Sequence, residues 1–256
     1  MSEQEKPFVL NETEDFAVVY KPPRMHSVPG KNSGGDTLLD WYAAVFPPVM
    51  ELSGRRGGML HRLDFETQGL ILFAKNQTSL DYLLKLQNEG KFIKEYSAVC
   101  QKNSTLPSSF PDPPFNLSLT EFSGQTGYAI ESFFRPFGPG RKQVRPVRDV
   151  SNKDGKITRN KVAKDQGGYY RTEIVNIVSE SGHYALTIRL KRGFRHQIRC
   201  HLAWIGCPVV NDPVYGQQPA NGFLALRSHG LFLSDPQSGR PCEYRIEPLE
   251  IPLYPM

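Results

Sequence analysis

The chain has 256 residues, 39% hydrophobic and 22% charged, with four cysteines and a net charge of +5, enough for one sizeable core in an ordinary globular protein. No run approaches the ~18 apolar residues that a membrane helix requires, and the opening MSEQEKPFVL lacks the apolar core of a secretion signal, so the reading is a cytoplasmic protein with no membrane partner. Cys100, Cys200, Cys207 and Cys242 form no CxxC pair, which argues against a disulfide framework and for a reducing compartment.

In chain order, FVLNETEDFAVVYKPPRM predicts a short strand, an acidic turn and a second strand, Phe16 to Tyr20, halted by Pro22 and Pro23. DTLLDWYAAVF predicts a helix with Asp36 as its cap and Leu38, Leu39, Tyr42 and Val45 on one face, ended by Pro47 and Pro48. HRLDFETQGLILFAK sets His61, Arg62, Asp64 and Glu66 directly before the apolar run Gly69 to Ala74, which reads as a buried strand. A carboxylate beside an arginine at such an entrance either caps a turn or does chemistry, and spacing leaves both open. Thr78 to Glu89 predicts a second helix carrying Leu80, Leu83, Leu84 and Leu86, with Gly90 as its stop, and KFIKEYSAVC predicts a strand.

Residues 103 to 168 are rich in Pro, Gly, Ser and charge and predict loops and hairpins, with only brief strand-like pieces such as Gly127 to Phe134. Between Arg135 and Lys164 stand ten Lys or Arg and two Asp, so this stretch carries +8 and the other 226 residues together −3. Such a stretch is either a solvated loop or a surface that binds polyanions such as nucleic acid by releasing their counterions; Arg141, Lys142, Arg145 and Arg148 are the candidates for contact with such a backbone. YYRTEIVNIVSESGHYALTIRL predicts a hairpin about SESG. A helix is expected from near Arg195 to Ile205, with Ile198, Leu202 and Ile205 in the core, Gly206 as its end, and Arg195, His196 and Arg199 on a positive face. PVVNDPVYG, FLALRSHGLFL and EYRIEPLEIPL predict further short strands, which makes the whole a strand-rich α+β chain. His196, Cys200, His201 and Cys207 do not make a metal site, since positions five apart on a helix diverge by about 140°. Without heptads, a monomer is expected.

HRLDFETQGLILFAK, KEYSAV, RHQIRCHLAWIGCPVVNDPVYG, FAVVYKPP and LALRSHGLFLSDPQSG occur along the chain in an order that resembles the RluA-type branch of the pseudouridine synthases. The resemblance implies a mixed, mainly antiparallel sheet flanked by helices, with a central cleft, in one catalytic domain spanning 1–256. It implies a cofactor-free enzyme that isomerises uridine in ribosomal or transfer RNA, breaking the bond from sugar C1′ to base N1 and rejoining C1′ to C5. Asp64 matches the family's nucleophile, and a carboxylate suits that part because it can attack, hold a covalent intermediate and leave again. Arg199, in HQIR, matches the guanidinium expected to lower the carboxylate's pKa by about 1 to 3 units. Tyr96, in KEYSAV, matches the active-site tyrosine. Arg62 matches the side chain that fills the gap left by the extruded nucleotide, and Lys21 and Lys94 match basic motif positions. His61, Arg195 and His196 complete the expected substrate-binding set.

The chain departs from the pattern at Gln68, where the family usually has serine, at Arg24, where it has glycine after KPP, and at GFRHQIR, where it has GRTHQIR. These departures motivate a rival reading, an RNA-binding protein that keeps the fold without turnover. The insert of about 103–165 falls outside the resemblance, and an accessory RNA-binding domain ahead of Phe8 is not expected, so the basic stretch is the expected source of RNA affinity.

Overall fold

A computed structural model of the chain describes residues 6–30, 35–53, 57–102, 107, 109–114, 127–148, 168–180, 182–216 and 222–250. Its elements, in order, are β1 (Phe8–Glu12), β2 (Phe16–Lys21), α1 (Leu38–Val45), a 3-10 turn (Pro47–Glu51), β3 (Gln68–Ala74), α2 (Gln77–Asn88), β4 (Ile93–Gln101), β5 (Tyr128–Phe137), β6 (Gln143–Val147), β7 (Tyr170–Glu180), β8 (His183–Leu190), α3 (Gln197–Trp204), β9 (Leu226–Ser234) and β10 (Pro241–Arg245). The strands form a mixed, mainly antiparallel array of the α+β class, in which β3 and β9 pair in parallel. The chain divides into two compact units, Met1–Tyr96 with Leu226–Pro248, and Ser97–Ala225 with Leu249–Met256. No helix among the described residues is long and apolar enough to cross a membrane.

In the first unit the order is β1-β2-β3-β9, with β10 also pairing β9. Every residue of β2 and β3 is buried, because the two faces of these strands are both covered. On one face Phe16, Val18, Leu70 and Leu72 pack with Leu80, Leu83 and Leu86 of α2; on the other, Phe73 meets Tyr42 of α1 at a ring separation of 4.4 Å. That accounts for their continuous apolar runs, since a strand buried on both sides has no reason to alternate.

Helix α1 starts one residue later than Asp36 would allow. Thr37 is its cap, in a reciprocal box with Asp40, because the hydroxyl satisfies a free amide of the first turn while the Asp40 carboxylate takes the Thr37 N–H at 3.1 Å. Val45, expected on the buried face, is 53% exposed, as is Leu84 of α2 at 38%. The cap of α2 is Asn76, whose Oδ1 accepts from the Ser79 N–H at 2.8 Å.

In the second unit the strand order is β8-β7-β5-β6, packed on α3 through Phe134, Val144, Tyr170, Cys200, Ala203 and Tyr215. Here the expected positive helix face is corrected. All eight residues of α3 are buried, and a helix enclosed all round has no solvated charged side. Arg195 and His196 precede it, and His196 lies in the left-handed region at φ 57°. PVVNDPVYG forms turns rather than a strand, touching β4 through a single bridge between Cys100 and Val209. Within the insert, 103–106, 108, 115–126 and 149–165 lie outside the described residues; the expected strand there extends as β5 and pairs with β6 as a hairpin.

Candidate active site

The first unit fixes the loop ahead of β3 from inside. The buried Ser27 hydroxyl donates to the Leu63 carbonyl at 2.8 Å and accepts from the Leu63 N–H at 3.1 Å. The Thr67 N–H donates to the Asp64 carbonyl at 3.1 Å and closes a turn. These bonds leave Arg62 and Phe65 exposed and Asp64 partly exposed at the mouth of a fully buried strand. A carboxylate held this way is open to a reactant while its backbone cannot drift.

Lys21 ends β2 opposite Gly69 and is wholly buried. Its Nζ donates to the carbonyls of Pro22 and Met25, both at 2.8 Å, and of Phe65 at 3.4 Å, so one ammonium binds the turn after β2 to the loop of Asp64. Burial pulls its pKa down to about 7, and the charges of Asp64 and Glu66 oppose that fall. Gly69 in turn faces Ser228 of β9. At φ +123° it sits where side chains are strained, and a Cβ there would lie 2.2 Å from the Ser228 carbonyl oxygen, so only glycine lets the two strands approach this closely.

Tyr96 lies on β4, 6% exposed. Burial, and then the negative charge of Asp64, push its phenol far above the ordinary range, with Ser228 acting in the opposite direction. The phenol is therefore neutral at physiological pH, with the negative charge of Asp64 adding to the effect of burial.

His61 and Lys94, expected to meet substrate, face inward. His61 is 7% exposed, its Nε2 accepts from the Leu72 N–H at 3.4 Å, and its ring stands edge-on to Phe92. Burial and the neighbouring Lys94 hold its pKa well below the usual value, so it is neutral. Lys94 is 3% exposed with Nζ 5.1 Å over the Phe92 ring, and burial lowers its pKa to about 8.

Two of the departures have local explanations. Gln68 Oε1 accepts from the Tyr20 hydroxyl at 3.0 Å and from Arg227 Nη2 at 2.9 Å, a tie across three strands that serine is too short to make. Arg24 has φ 57°, the left-handed conformation that glycine adopts without cost.

In the second unit, Arg199 is buried and makes a bidentate fork with Asp212, Nε to Oδ2 at 2.8 Å and Nη2 to Oδ1 at 2.7 Å. Asp212 is itself fixed by the N–H groups of Val214 and Tyr215 at 2.8 and 3.1 Å, so the turn orients the carboxylate and the carboxylate orients the guanidinium. Asp212 was not singled out from the sequence; the signal for it is the need of any buried arginine for a fixed anion, met by the Asp-Pro turn of NDPVYG. Phe194 stacks on Phe134 at 5.0 Å and fills core. Arg195 Nη2 donates to the carbonyls of Arg141 and Gln143, and His196 Nδ1 lies 3.2 Å from the Tyr215 hydroxyl. Arg145 donates to the Ser109 carbonyl at 3.1 Å and covers the Phe137 ring, whereas Arg141, Lys142 and Arg148 are exposed. Both ring nitrogens of His201 are engaged, by Ser132 and Thr172.

The sequence profile of the RNA pseudouridylate synthase family matches residues 15–204, a span that holds Asp64, Tyr96 and Arg199. The chain belongs to the RNA pseudouridylate synthase family. Among curated members, it is 25% identical over 211 residues to the ribosomal large subunit pseudouridine synthase D of Haemophilus ducreyi and 26% identical to that of Escherichia coli strain K12, in each case over 82% of this chain and 53% of the relative. The chain thus spans about half the length of these pseudouridine synthases. In fold it is similar to human RNA pseudouridylate synthase domain containing 1, with a TM-score of 0.63 at 18% identity over 96% of this chain and 85% of the other.

Proposed function

We propose that this member of the family converts uridine to pseudouridine in RNA, with Asp64 as nucleophile. The observation that carries the reading is a partly exposed carboxylate pinned at the entrance of a fully buried strand, and its charge adds to the burial that keeps the phenol of Tyr96 neutral. In the reaction Asp64 bonds to C1′ as the C1′–N1 bond breaks, the freed base turns, and the Asp64–C1′ bond breaks as C1′ bonds to C5, returning the carboxylate. The proton on C5 leaves and N1 gains one, so the product is an isomer and no redox partner is required.

Tyr96 then acts between the two halves. Burial first, and the Asp64 anion second, make its phenol hard to ionise; bonding of Asp64 to the sugar removes the second of these and eases formation of the phenolate, the form that can act as a base. Arg199, oriented by Asp212, is the proposed cation of the reaction, and Arg62 the proposed occupant of the space left by the extruded nucleotide. Lys21, Lys94 and His61 hold the loops from within. The proposed substrate is ribosomal or transfer RNA, with Arg141, Lys142, Arg145 and Arg148 on its backbone and Arg195 and His196 supporting that surface. We take the enzyme to act as a cytoplasmic monomer, where the cysteines stay reduced.

The test is release of tritium from RNA carrying uridine tritiated at C5. The reading expects release with full-length strands, and a Tyr96→Phe variant slower by about 100-fold or more. Release by neither, on any cellular RNA, leaves the fold as a binder; shortened strands indicate cleavage instead.

A further inference from the structure

We propose that His26 and Phe65 form a preorganised stacking platform for an unpaired RNA base beside the target uridine, an inference that rests on the isomerase reading for the identity of its ligand. Phe65 follows Asp64 directly and is 39% exposed. His26 is exposed on the loop after β2, and the two rings lie 4.6 Å apart between centroids, inclined by 39°.

The backbone holds them there. The Phe65 carbonyl is bound by Lys21 Nζ and the turn of Asp64 is closed by Thr67, so the loop cannot rotate to bury the ring. The His26 carbonyl accepts from the Leu38 N–H at 2.9 Å, and the two hydrogen bonds between Ser27, next to His26, and Leu63, two residues before Phe65, tie one loop to the other. With its backbone held by these bonds, the Phe65 ring keeps part of its surface open for contact. Because the pair is formed in advance, little ordering cost is left for binding.

The surroundings select the ligand. Arg62, three residues before Phe65, is exposed, and Arg24, with its side chain 52% exposed, stands 3.9 Å from Glu66, the residue after Phe65. Aromatic faces with arginines close by in the chain suit a base with its phosphates, which is how single strands are held without reading their sequence.

The experiment uses a nine-nucleotide single-stranded RNA with 2-aminopurine placed 5′ or 3′ of a central uridine. The wild-type protein should quench its fluorescence at one of the two positions. Phe65→Leu, which keeps apolar bulk and loses the ring face, should abolish quenching and weaken binding about five- to hundredfold. Phe65→Tyr should retain both, and His26→Ala should weaken binding in the same direction. On substrate RNA, Phe65→Leu should raise KM with kcat held, and its thermal midpoint should stay within about 3 °C of wild type, as expected for an exposed side chain. Equal quenching and affinity in wild type and Phe65→Leu would overturn the platform, as would no quenching by the wild type. Quenching without tritium release from any RNA refutes the isomerase reading and leaves the platform standing; turnover with an unchanged KM in Phe65→Leu does the reverse.

Discussion

Lys21 carries its charge against burial, with its ammonium wholly enclosed and its pKa drawn down to about 7. Between that value and the ordinary 10.5 the unfolded chain binds a proton that the folded chain does not, so stability rises with pH across this window and is flat with respect to Lys21 below it. Compared with Lys21→Met, the wild type should therefore gain about 2 kcal/mol between pH 7 and pH 9, read from urea unfolding at the two pH values; parallel pH dependences in both proteins would contradict the burial argument. Lys94 adds a slope of the same sign above about pH 8. At this scale the sequence placed Asp64 correctly at a strand entrance, because charge followed by an unbroken apolar run leaves few alternatives. Whether Lys21 faced solvent or a cage of carbonyls was not legible, since Met25 and Phe65 reach it only once the two loops have folded together.

Strands β3 and β9 meet where Gly69 faces Ser228, and any Cβ at that position strikes the Ser228 backbone. Gly69→Ala should cost about 1–3 kcal/mol and disturb Ser228 next to Tyr96, so catalysis should fall by more than the loss of folded protein explains; melting and kcat measured on the same sample check both parts. Around α3 the decisive contact is the buried fork of Arg199 with Asp212. Asp212→Ala leaves a guanidinium uncompensated in the core and should destabilise by about 3–5 kcal/mol, and Arg199→Lys cannot restore two parallel bonds; both are measurable by chemical denaturation. β3 was readable from its unbroken apolar run, α2 from the spacing of its leucines, β4 from residue types favoured in sheets, and the hairpin of β7 and β8 from two strand-like runs about a polar turn. The starts of α1 and α3 were not. Thr37 displaced Asp36 because a second partner, Asp40, completes its cap, and α3 begins after His196 because that residue is held left-handed.

For the molecule as a whole, the distribution of charge matters more than its sum. The exposed Arg141, Lys142 and Arg148 lie on and beside the hairpin of β5 and β6, and Arg195 fastens that hairpin by two carbonyls. Neutralising Arg141, Lys142, Arg145 and Arg148 together should reduce the slope of log affinity against log salt by about 3, at ~0.7 per phosphate contact on single strands; an unchanged slope refutes the backbone role. Arg145→Gln alone should also loosen the hairpin, since this residue is tied to Ser109 and Phe137. The family was legible from five spaced blocks, whereas no block announced the platform of His26 and Phe65, whose two residues come from separate loops. The central claim is that Asp64 forms the bond to the sugar, and a single-turnover reaction on substrate RNA, digested to nucleosides and resolved by chromatography, tests it most directly. Pseudouridine should form with the wild type and be absent with Asp64→Asn, while that variant binds the RNA as tightly as before; pseudouridine formed by Asp64→Asn at the wild-type rate would contradict the account.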